Sequence, residues 1–403
     1  MFGSPGQSLQ TLVVDARVIR SRAAGVGHFT AGLLQGLDAI AEEMGWRVAA
    51  LRLSESVAEH SPWSRGVFDG LRNIRVEDIT ADYEDHPKGD LWLQFGINDV
   101  MRRLKGDVLV SPAFICPWGP RPFKRVLVVH DTIAWDVPGN YPKRFEWYLR
   151  TWVPQSAESA ERVVSVSPPS AKRVRALVCQ PRIMRDRKRV GVVPNATDSA
   201  LFHPAKPEEK ERLPDGSDRD RPVIVYVASL EPRKNHRLLI EAMRRHPLVE
   251  RDAQLVLVGG GSQSEEDLLA QHAGGLRVRF IKPQTSYDVA AWIRAADVAV
   301  QPSTFEGFGL PALEAMACGT PLVASRIPTL EWLTKDGACA RLCDPNVVDE
   351  WTEAIATTLD GGPHVEARRQ AALKRAEKFD WRKSARRLIE EANAAMGAET
   401  IHY

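Results

Sequence analysis

Two carboxylates, Glu306 and Glu314, bracket a glycine-rich turn in the stretch STFEGFGLPALEAMACGTPLVAS, residues 303 to 325. Ionised carboxylates accept hydrogen bonds from paired hydroxyl groups, the pattern that a sugar or a ribose presents. Gly307 and Gly309 permit backbone conformations closed to other residues, and Pro311 suits the first position of a helix because it has no amide hydrogen to leave unpaired. Ala312, Leu313, Ala315, Met316 and Ala317 continue that helix, whose N-terminus would offer backbone N–H groups and partial positive charge to a phosphate. The stretch therefore predicts one site for phosphate and hydroxyls. Spacing alone carries little of this: with 27 Glu in 403 residues, chance supplies about two pairs at any separation. Glu314 could equally be a first-turn carboxylate favoured by the helix dipole, and Glu306 a surface loop residue.

A second set of chemistry-bearing residues lies upstream. In Ser229-Leu230-Glu231-Pro232-Arg233-Lys234-Asn235 two adjacent cations follow an apolar run and precede a helical one, where an anionic diphosphate could sit. Arg supplies a planar fork and Lys a compact charge, and together they can hold a leaving phosphate. Gly259, Gly260 and Gly261 keep a strand-to-helix turn open, although a glycine run is as often only a tight turn. Gly25 and Gly27, in AGVGHFTAG, offer the same clearance to a phosphate or an acceptor. His130 follows the apolar run Val126 to Val129 and should emerge at a strand end. Asp131 would point elsewhere, because side chains alternate along an extended chain. Asp218-Arg219-Asp220 has a D-x-D pattern suited to a divalent cation, yet it lies in a charged turn before a strand and is read as coincidence, so no metal is expected.

Alternating strands and helices must position these groups. Leu12 to Val14, Arg47 to Leu53, Val108 to Val110 and Val126 to Val129 are strand candidates in the first half. After the charged, Pro- and Gly-broken stretch Lys206 to Arg221 the rhythm restarts. Strands are expected at Val223 to Val227, Gln254 to Val258, Val278 to Ile281, Val298 to Val300 and Leu322 to Ala324. Helices are expected near Arg237 to Met243, Glu265 to Gln271, Ser286 to Ala296 and Pro311 to Ala317. Val365 to Ala395 is helical in period, with a bend near Asp380-Trp381. The fold class is α/β, two Rossmann-like halves joined around Pro194 to Pro204, and in such sheets ligands gather at the carboxyl ends of strands.

Composition bounds the function. No apolar run approaches the roughly 18 residues of a membrane span, and the first dozen residues lack the basic start and apolar core of a signal peptide. A cytoplasmic protein is expected. Cys116, Cys179, Cys318, Cys339 and Cys343 form no CxxC pair and are read as reduced thiols. Residues 1 to 195 carry 27 Lys and Arg against 21 Asp and Glu, and the remainder 27 against 31. The excess concentrates in Lys172 to Arg189, which could touch an anionic membrane surface or an anionic acceptor, or simply be solvated. Nucleic acid is not expected, because no aromatic platform accompanies the charge.

GVGHFT near the start, VVHDT at 128 to 132, VPNATDSALFHP at 193 to 204, VASLEPRKN at 227 to 235, LVGGG at 257 to 261 and the E-x7-E stretch follow one another along most of the chain. In this order they resemble the family 4 retaining glycosyltransferases, glycosyl transferases group 1. The resemblance implies the GT-B fold, two facing Rossmann-like domains with a central cleft: residues 1–200 the acceptor domain, 201–375 the nucleotide-sugar domain, and 376–403 a C-terminal helix packing back on the N-terminal domain. It implies Arg233 and Lys234 at the leaving phosphate, Glu306 at the donor sugar, Glu314 at the ribose and His130 near the reacting centre. Gly307, Phe308, Gly309 and Leu310 would add backbone contacts, and Gly25, Gly27, Gly259 and Gly260 would line the donor. Members of this family often carry Gly-Arg where Ala228-Ser229 stands here, which shifts phosphate work onto Arg233 and Lys234. The implied reaction is metal-independent hexosyl transfer with retention, without cofactor, from GDP-mannose or UDP-glucose to a glycan or lipid-linked acceptor in polysaccharide or glycolipid synthesis. The protein would sit in the cytoplasm, peripheral on the inner face of the membrane. Forms such as EPRKN and EGFGLP are similar to bacterial mannosyltransferases and favour GDP-mannose. A GT-B-type epimerase or phosphorylase, or a non-catalytic sugar-nucleotide binding protein, would share these residues and stays open.

Overall fold

Runs of Val, Leu and Ile become parallel strands buried on both faces, because helices cover both sides of such sheets. The computed structural model describes residues 9–20, 25–57, 60–82, 88–178, 190–210, 213–216, 219–283 and 285–397. Two compact units divide the chain: residues 1–196 with 380–403, and residues 197–379.

The first unit is built on β1 (Gln10–Asp15), β2 (Trp46–Leu53), β3 (Ile74–Ile79), β4 (Val108–Ser111), β5 (Lys124–Val128), β6 (Arg162–Ser165) and β7 (Val190–Val192). They pair in the order β3-β2-β1-β4-β5-β6-β7, all parallel. The second is built on β8 (Val223–Val227), β9 (Gln254–Val258), β10 (Val278–Ile281), β11 (Val298–Gln301), β12 (Leu322–Ser325) and β13 (Arg341–Cys343), in the parallel order β10-β9-β8-β11-β12-β13. In each sheet the strand order reverses beside the first strand, between β1 and β4 and between β8 and β11. At such a switch point the loops at the carboxyl ends part and leave room for a ligand.

The helices that matter below are α1 (Gly25–Ile40), α2 (Lys143–Ser159), α3 (His236–Met243), α4 (Leu310–Cys318), α5 (Pro363–Ala376) and α6 (Trp381–Ala395). The long C-terminal helical period breaks at Asp380, whose side chain caps α6 by accepting from the Lys383 amide at 3.1 Å. α6 belongs to the first unit and lies on α1. Gly32 and Gly36 of α1 make that contact possible: a Cβ on Gly32 would sit 2.0 Å from the Trp381 indole, and one on Gly36 2.2 Å from the Trp381 carbonyl oxygen. Ser384 donates to the Pro194 carbonyl at 2.7 Å, and Arg162 pairs with Glu391 at 2.6 Å, fixing the helix to β6.

Cys116, Cys318, Cys339 and Cys343 are buried free thiols, and Cys179 lies outside the described residues. Burial pushes the Cys318 and Cys343 thiols up to about 12, so neither is a nucleophile. Of the basic stretch, Lys172, Arg173 and Arg175 are exposed on the helix Pro168–Leu177, with Arg173 paired to Asp136. Arg182, Arg185, Arg187, Lys188 and Arg189 lie outside the described residues, as does Asp218 of the D-x-D pattern. Asp220 pairs with Arg221 and Arg219 with Asp297. No described helix is long and apolar enough to cross a membrane.

Candidate active site

The chain leaves β8 through Ala228 and Ser229 and enters a tight 3-10 turn, Pro232–Lys234. Asn235 ends that turn in the left-handed region at φ 58° and anchors it, its side-chain amide donating to the carbonyls of Pro302 at 3.3 Å and Pro345 at 2.8 Å. The Tyr226 hydroxyl donates to the Lys234 carbonyl at 2.8 Å, and the Thr304 amide to the Arg233 carbonyl at 2.8 Å. The turn after β8 is thus stitched to the loop after β11, across the switch point.

Stitching brings three of the expected residues together. Lys234 Nζ lies 2.6 Å from Glu306 Oε1, and Arg233 Nη1 lies 3.4 Å from Glu306 Oε2 and 3.2 Å from the Phe305 carbonyl. Gln301, the last residue of β11, donates to Glu306 Oε1 at 2.9 Å and to Ser303 Oγ at 3.0 Å. Thr329 donates to the Glu306 carbonyl at 2.8 Å. Burial would raise the Glu306 carboxyl, but Lys234 and Arg233 outweigh it and hold the group below its ordinary range. Glu231 balances in the same way: burial raises it, and Arg233 and a bond from Ser229 bring it down. Two buried or half-buried cations are therefore fixed by two ionised carboxylates and are already oriented before any anion arrives. Burial, followed by the charge of Glu306, raises the Tyr226 phenol well above its usual value, so it acts only as a neutral hydroxyl.

α4 begins beyond this cluster. Gly309 is its N-cap in the left-handed region, φ 87°, where a Cβ would also meet Leu330 at 2.7 Å. Pro311 occupies the second helical position rather than the first. The amides of Gly309 and Leu310 donate to no described carbonyl and remain available to an anion. Phe308 offers only its backbone, because its ring packs 5.9 Å from Trp332 and 5.7 Å from Phe379. Glu314 is half-buried and has no hydrogen-bond or ionic partner among the described residues; burial pushes its carboxyl up to about 8. Gly259 is required by packing, since a Cβ there would lie 1.9 Å from the Ala228 carbonyl oxygen, whereas Gly260 faces open space.

In the first unit, His130 follows β5 and is buried. Its Nε2 lies 2.7 Å from the Pro112 carbonyl oxygen, and because a carbonyl only accepts, Nε2 carries the proton. Burial drives the imidazole down to about 4 against the opposing bond from Pro112. His130 is thus neutral, and its Nδ1 is an acceptor. The ring is set edge-on to Phe29 at 4.9 Å and against Phe114 at 5.5 Å. Asp131 is a turn residue, accepting from the Ile133 amide at 3.0 Å. Gly25 and Gly27 lie in the first turn of α1: a Cβ on Gly25 would meet nothing, and one on Gly27 only ordinary contacts at 3.6 Å. Packing within the unit demands neither glycine.

Sequence reasoning passed over Gln301, Ser303, Tyr226 and the anchoring role of Asn235. Their signal was present as polar atoms ending or interrupting the apolar strands VAVQ and VIVYV, where a buried polar group needs a partner. Among the described residues no group of three or more His, Cys, Asp or Glu could hold a metal ion.

Residues 207–376 match the family model described as glycosyl transferases group 1. Curated relatives include D-inositol 3-phosphate glycosyltransferases: that of Frankia alni is 35% identical over 54% of this chain and 56% of its own, and that of Mycolicibacterium smegmatis 32% identical over 52% and 49%. The chain thus spans about half the length of the curated relatives it matches. Among solved structures, the sucrose-phosphate synthase of Thermosynechococcus elongatus superposes with a TM-score of 0.74 at 20% identity, covering 97% of this chain and all 100% of that one. Anabaena HepE, solved with UDP-glucose, gives 0.69 at 19% identity over 96% and 99%. At these identities the likeness is one of fold, the two-sheet α/β architecture of GT-B glycosyltransferases.

Proposed function

We propose that this chain, whose residues 207–376 match the glycosyl transferases of group 1, transfers a hexose from a nucleoside diphosphate donor to an acceptor hydroxyl with retained anomeric configuration and without a metal. The observation that carries this reading is the convergence of Arg233 and Lys234 on the buried Glu306 at the switch point of the second sheet.

Each residue then has a task. The bond from the sugar's anomeric carbon to the diphosphate oxygen breaks, its electron pair leaving with the phosphate. Arg233 and Lys234 stabilise the negative charge as it grows, and the amides at the start of α4 add to them. The acceptor oxygen bonds to the anomeric carbon from the face the diphosphate vacates, and its proton passes to a departing phosphate oxygen. No side chain becomes covalently attached. Glu306, held ionised, keeps both cations in place and accepts from sugar hydroxyls with its remaining lone pairs. Glu314, lacking a partner of its own, is suited to the ribose hydroxyls. His130, assigned to the donor sugar, accepts a hydroxyl proton at Nδ1 and does not serve as an acid near neutral pH.

The motif forms favour GDP-mannose, whereas the printed ligand of HepE, UDP-glucose, supports a uridine donor; the inositol phosphate acceptor in the relatives' names is not carried over, because the matches span about half of those proteins. The acceptor proposed is a glycan or lipid-linked glycan. A thermal-shift screen of UDP-glucose, GDP-mannose and their free nucleotides tests the donor, since a ligand of the folded state raises its apparent stability. Stabilisation by one sugar nucleotide, followed by formation of a new glycoside, is the expected result. If none of them stabilises the protein or is turned over, the assignment fails. An epimerised or phosphorolysed product would replace transfer with one of the other two reactions.

A further inference from the structure

The carboxyl ends of β4 and β5 carry a second feature, an open cavity of about 390 Å³ within the first unit. Its wall is Phe114, Trp135, Tyr141, Phe145, Tyr148 and Leu149, with smaller aliphatic groups between them and Asp131 as the one charged residue. Such a volume is that of a small-ligand site. The walls are built, not accidental. Phe114 is held in the left-handed region at φ 67°, a conformation that costs energy for a bulky residue and persists only where its surroundings enforce it. Those surroundings are a set of buried bonds to the loop after β4: Arg125 donates to the carbonyls of Pro117 at 3.0 Å and Gly119 at 2.6 Å, and Gln94 donates to that of Cys116 at 3.3 Å while accepting from the Trp118 amide at 2.8 Å. The ring of Phe114 both lines the cavity and touches His130.

We propose that this cavity takes the aliphatic chain of a phosphorylated lipid acceptor. The inference rests on the glycosyltransferase reading and names the acceptor class within it. A sugar ring is a poor occupant, because apart from Asp131 and the hydroxyls of Tyr141 and Tyr148 the lining is apolar, and most of the ring's hydroxyls would be buried without partners. An aliphatic chain loses nothing there and leaves water. The cavity's outer wall continues into a surface of matching chemistry: Phe145 is 37% exposed, Trp147 on the same helix is 66% exposed, and Lys143 and Arg144 precede them with no ion pair to a described residue. Exposed aromatics beside free cations suit the boundary where a lipid chain meets its phosphate. Trp118 and Trp152, by contrast, pack on each other at 4.6 Å and belong to the unit's interior. The acceptor's reactive end would then lie toward His130, on the inner side of Phe114.

Farnesyl phosphate, below its micellar concentration, is the probe. Titrated into the full chain, it should bind at least about tenfold more tightly than inorganic phosphate, since chain burial supplies the difference. Phe145→Glu, a change at an exposed position, should weaken it about tenfold or more, and Ala134→Phe, which fills the cavity, should abolish it. Equal binding of farnesyl phosphate and inorganic phosphate, or equal binding by parent and Phe145→Glu, overturns the assignment. So does adsorption to anionic phospholipid vesicles with no response to the soluble probe. UDP and GDP binding measured on the same parent sample separates the two readings. Nucleotide binding without farnesyl phosphate binding defeats the cavity alone, whereas loss of both defeats the glycosyltransferase premise.

Discussion

The two sheets share one strand order up to their sixth strand, yet the loops at their carboxyl ends hold opposite chemistry. Beyond β8 and β11 four charged side chains, Glu231, Arg233, Lys234 and Glu306, compensate one another in a buried network. Beyond β4 and β5 stand a neutral histidine, two phenylalanine rings and an apolar cavity. The same backbone solution therefore carries two chemistries. On the proposed reading, one end would meet the charge that develops during reaction and the other a substrate part that brings little charge at all. Fold alone could not have assigned these tasks, because the parallel α/β sheet is the same in both.

The contrast breaks most visibly if the charged end is altered. Lys234→Ala should reduce turnover about a hundredfold to a thousandfold, the loss typical of a missing transition-state charge partner, with the circular-dichroism spectrum kept. Glu306→Ala should lose turnover to a similar extent and also about 3 to 5 kcal/mol of stability, because it strands the desolvated Lys234 and leaves Arg233 paired with Glu231. Near-parent rates in both proteins would remove the second unit from the chemistry.

Acid tests the neutral end. The folded His130 titrates near 4, below the ordinary value of about 6.5. Between these limits the unfolded chain binds a proton that the folded protein refuses, so stability falls as pH drops from about 6.5 to about 4 and then levels. The full loss is about 3 kcal/mol for His130, and buried His236, also brought to about 4 by burial and then Lys234, adds to it in the second unit. Chemical denaturation of His130→Gln across this window should show a shallower slope than the parent. An unchanged slope would mean the imidazole is not desolvated as described.

Glu314, partly open to solvent, gives an effect of opposite sign. Burial holds its acid form to about 8, so the parent loses stability as pH rises from about 4.5 to about 8, where the unfolded chain is already ionised. Glu314→Leu should escape that loss and melt higher than the parent at pH 8 relative to pH 5, while its donor KM rises about tenfold through the missing hydroxyl acceptor. A variant that is more stable and binds donor as well as the parent would show that Glu314 is not at the ribose. Smallest of all, Ser229→Ala removes a bond to Glu231 at an exposed position and should change the donor KM by about twofold at most. A larger change would give Ser229 a share of the phosphate that its short side chain does not suggest.

Much of the second unit was legible in advance. The strands Val223 to Val227, Gln254 to Val258 and Val278 to Ile281 occupy those residues in the structure, because short β-branched runs bounded by breakers have little alternative. β3, β6, β7 and β13 were not foreseen. β3 is buried only at its two ends and carries charges in IRVEDI, and β7 and β13 are each three residues long at a sheet edge, so none shows a long continuous apolar run. In the active-site region, the types of Arg233, Lys234, Glu306 and His130 were visible, but their charge states were not. A charge state depends on who stands beside a group and how much water is excluded, and these neighbours come from 70 or more residues away in the case of Lys234 and Glu306.

The sequence by itself determined most of the element pattern, the two α/β halves and the order of motifs, which includes those within residues 207–376, since periodicity, turn residues and motif order are local and survive without coordinates. Only the tertiary structure decided that Lys234 and Arg233 are already held by Glu306, that Glu314 has no partner, that His130 is neutral with Nε2 committed to Pro112, and that a cavity opens behind Phe114. Each of these follows from burial and from contacts between segments distant in the chain, and desolvation and pairing are properties of the packed molecule that no local pattern contains.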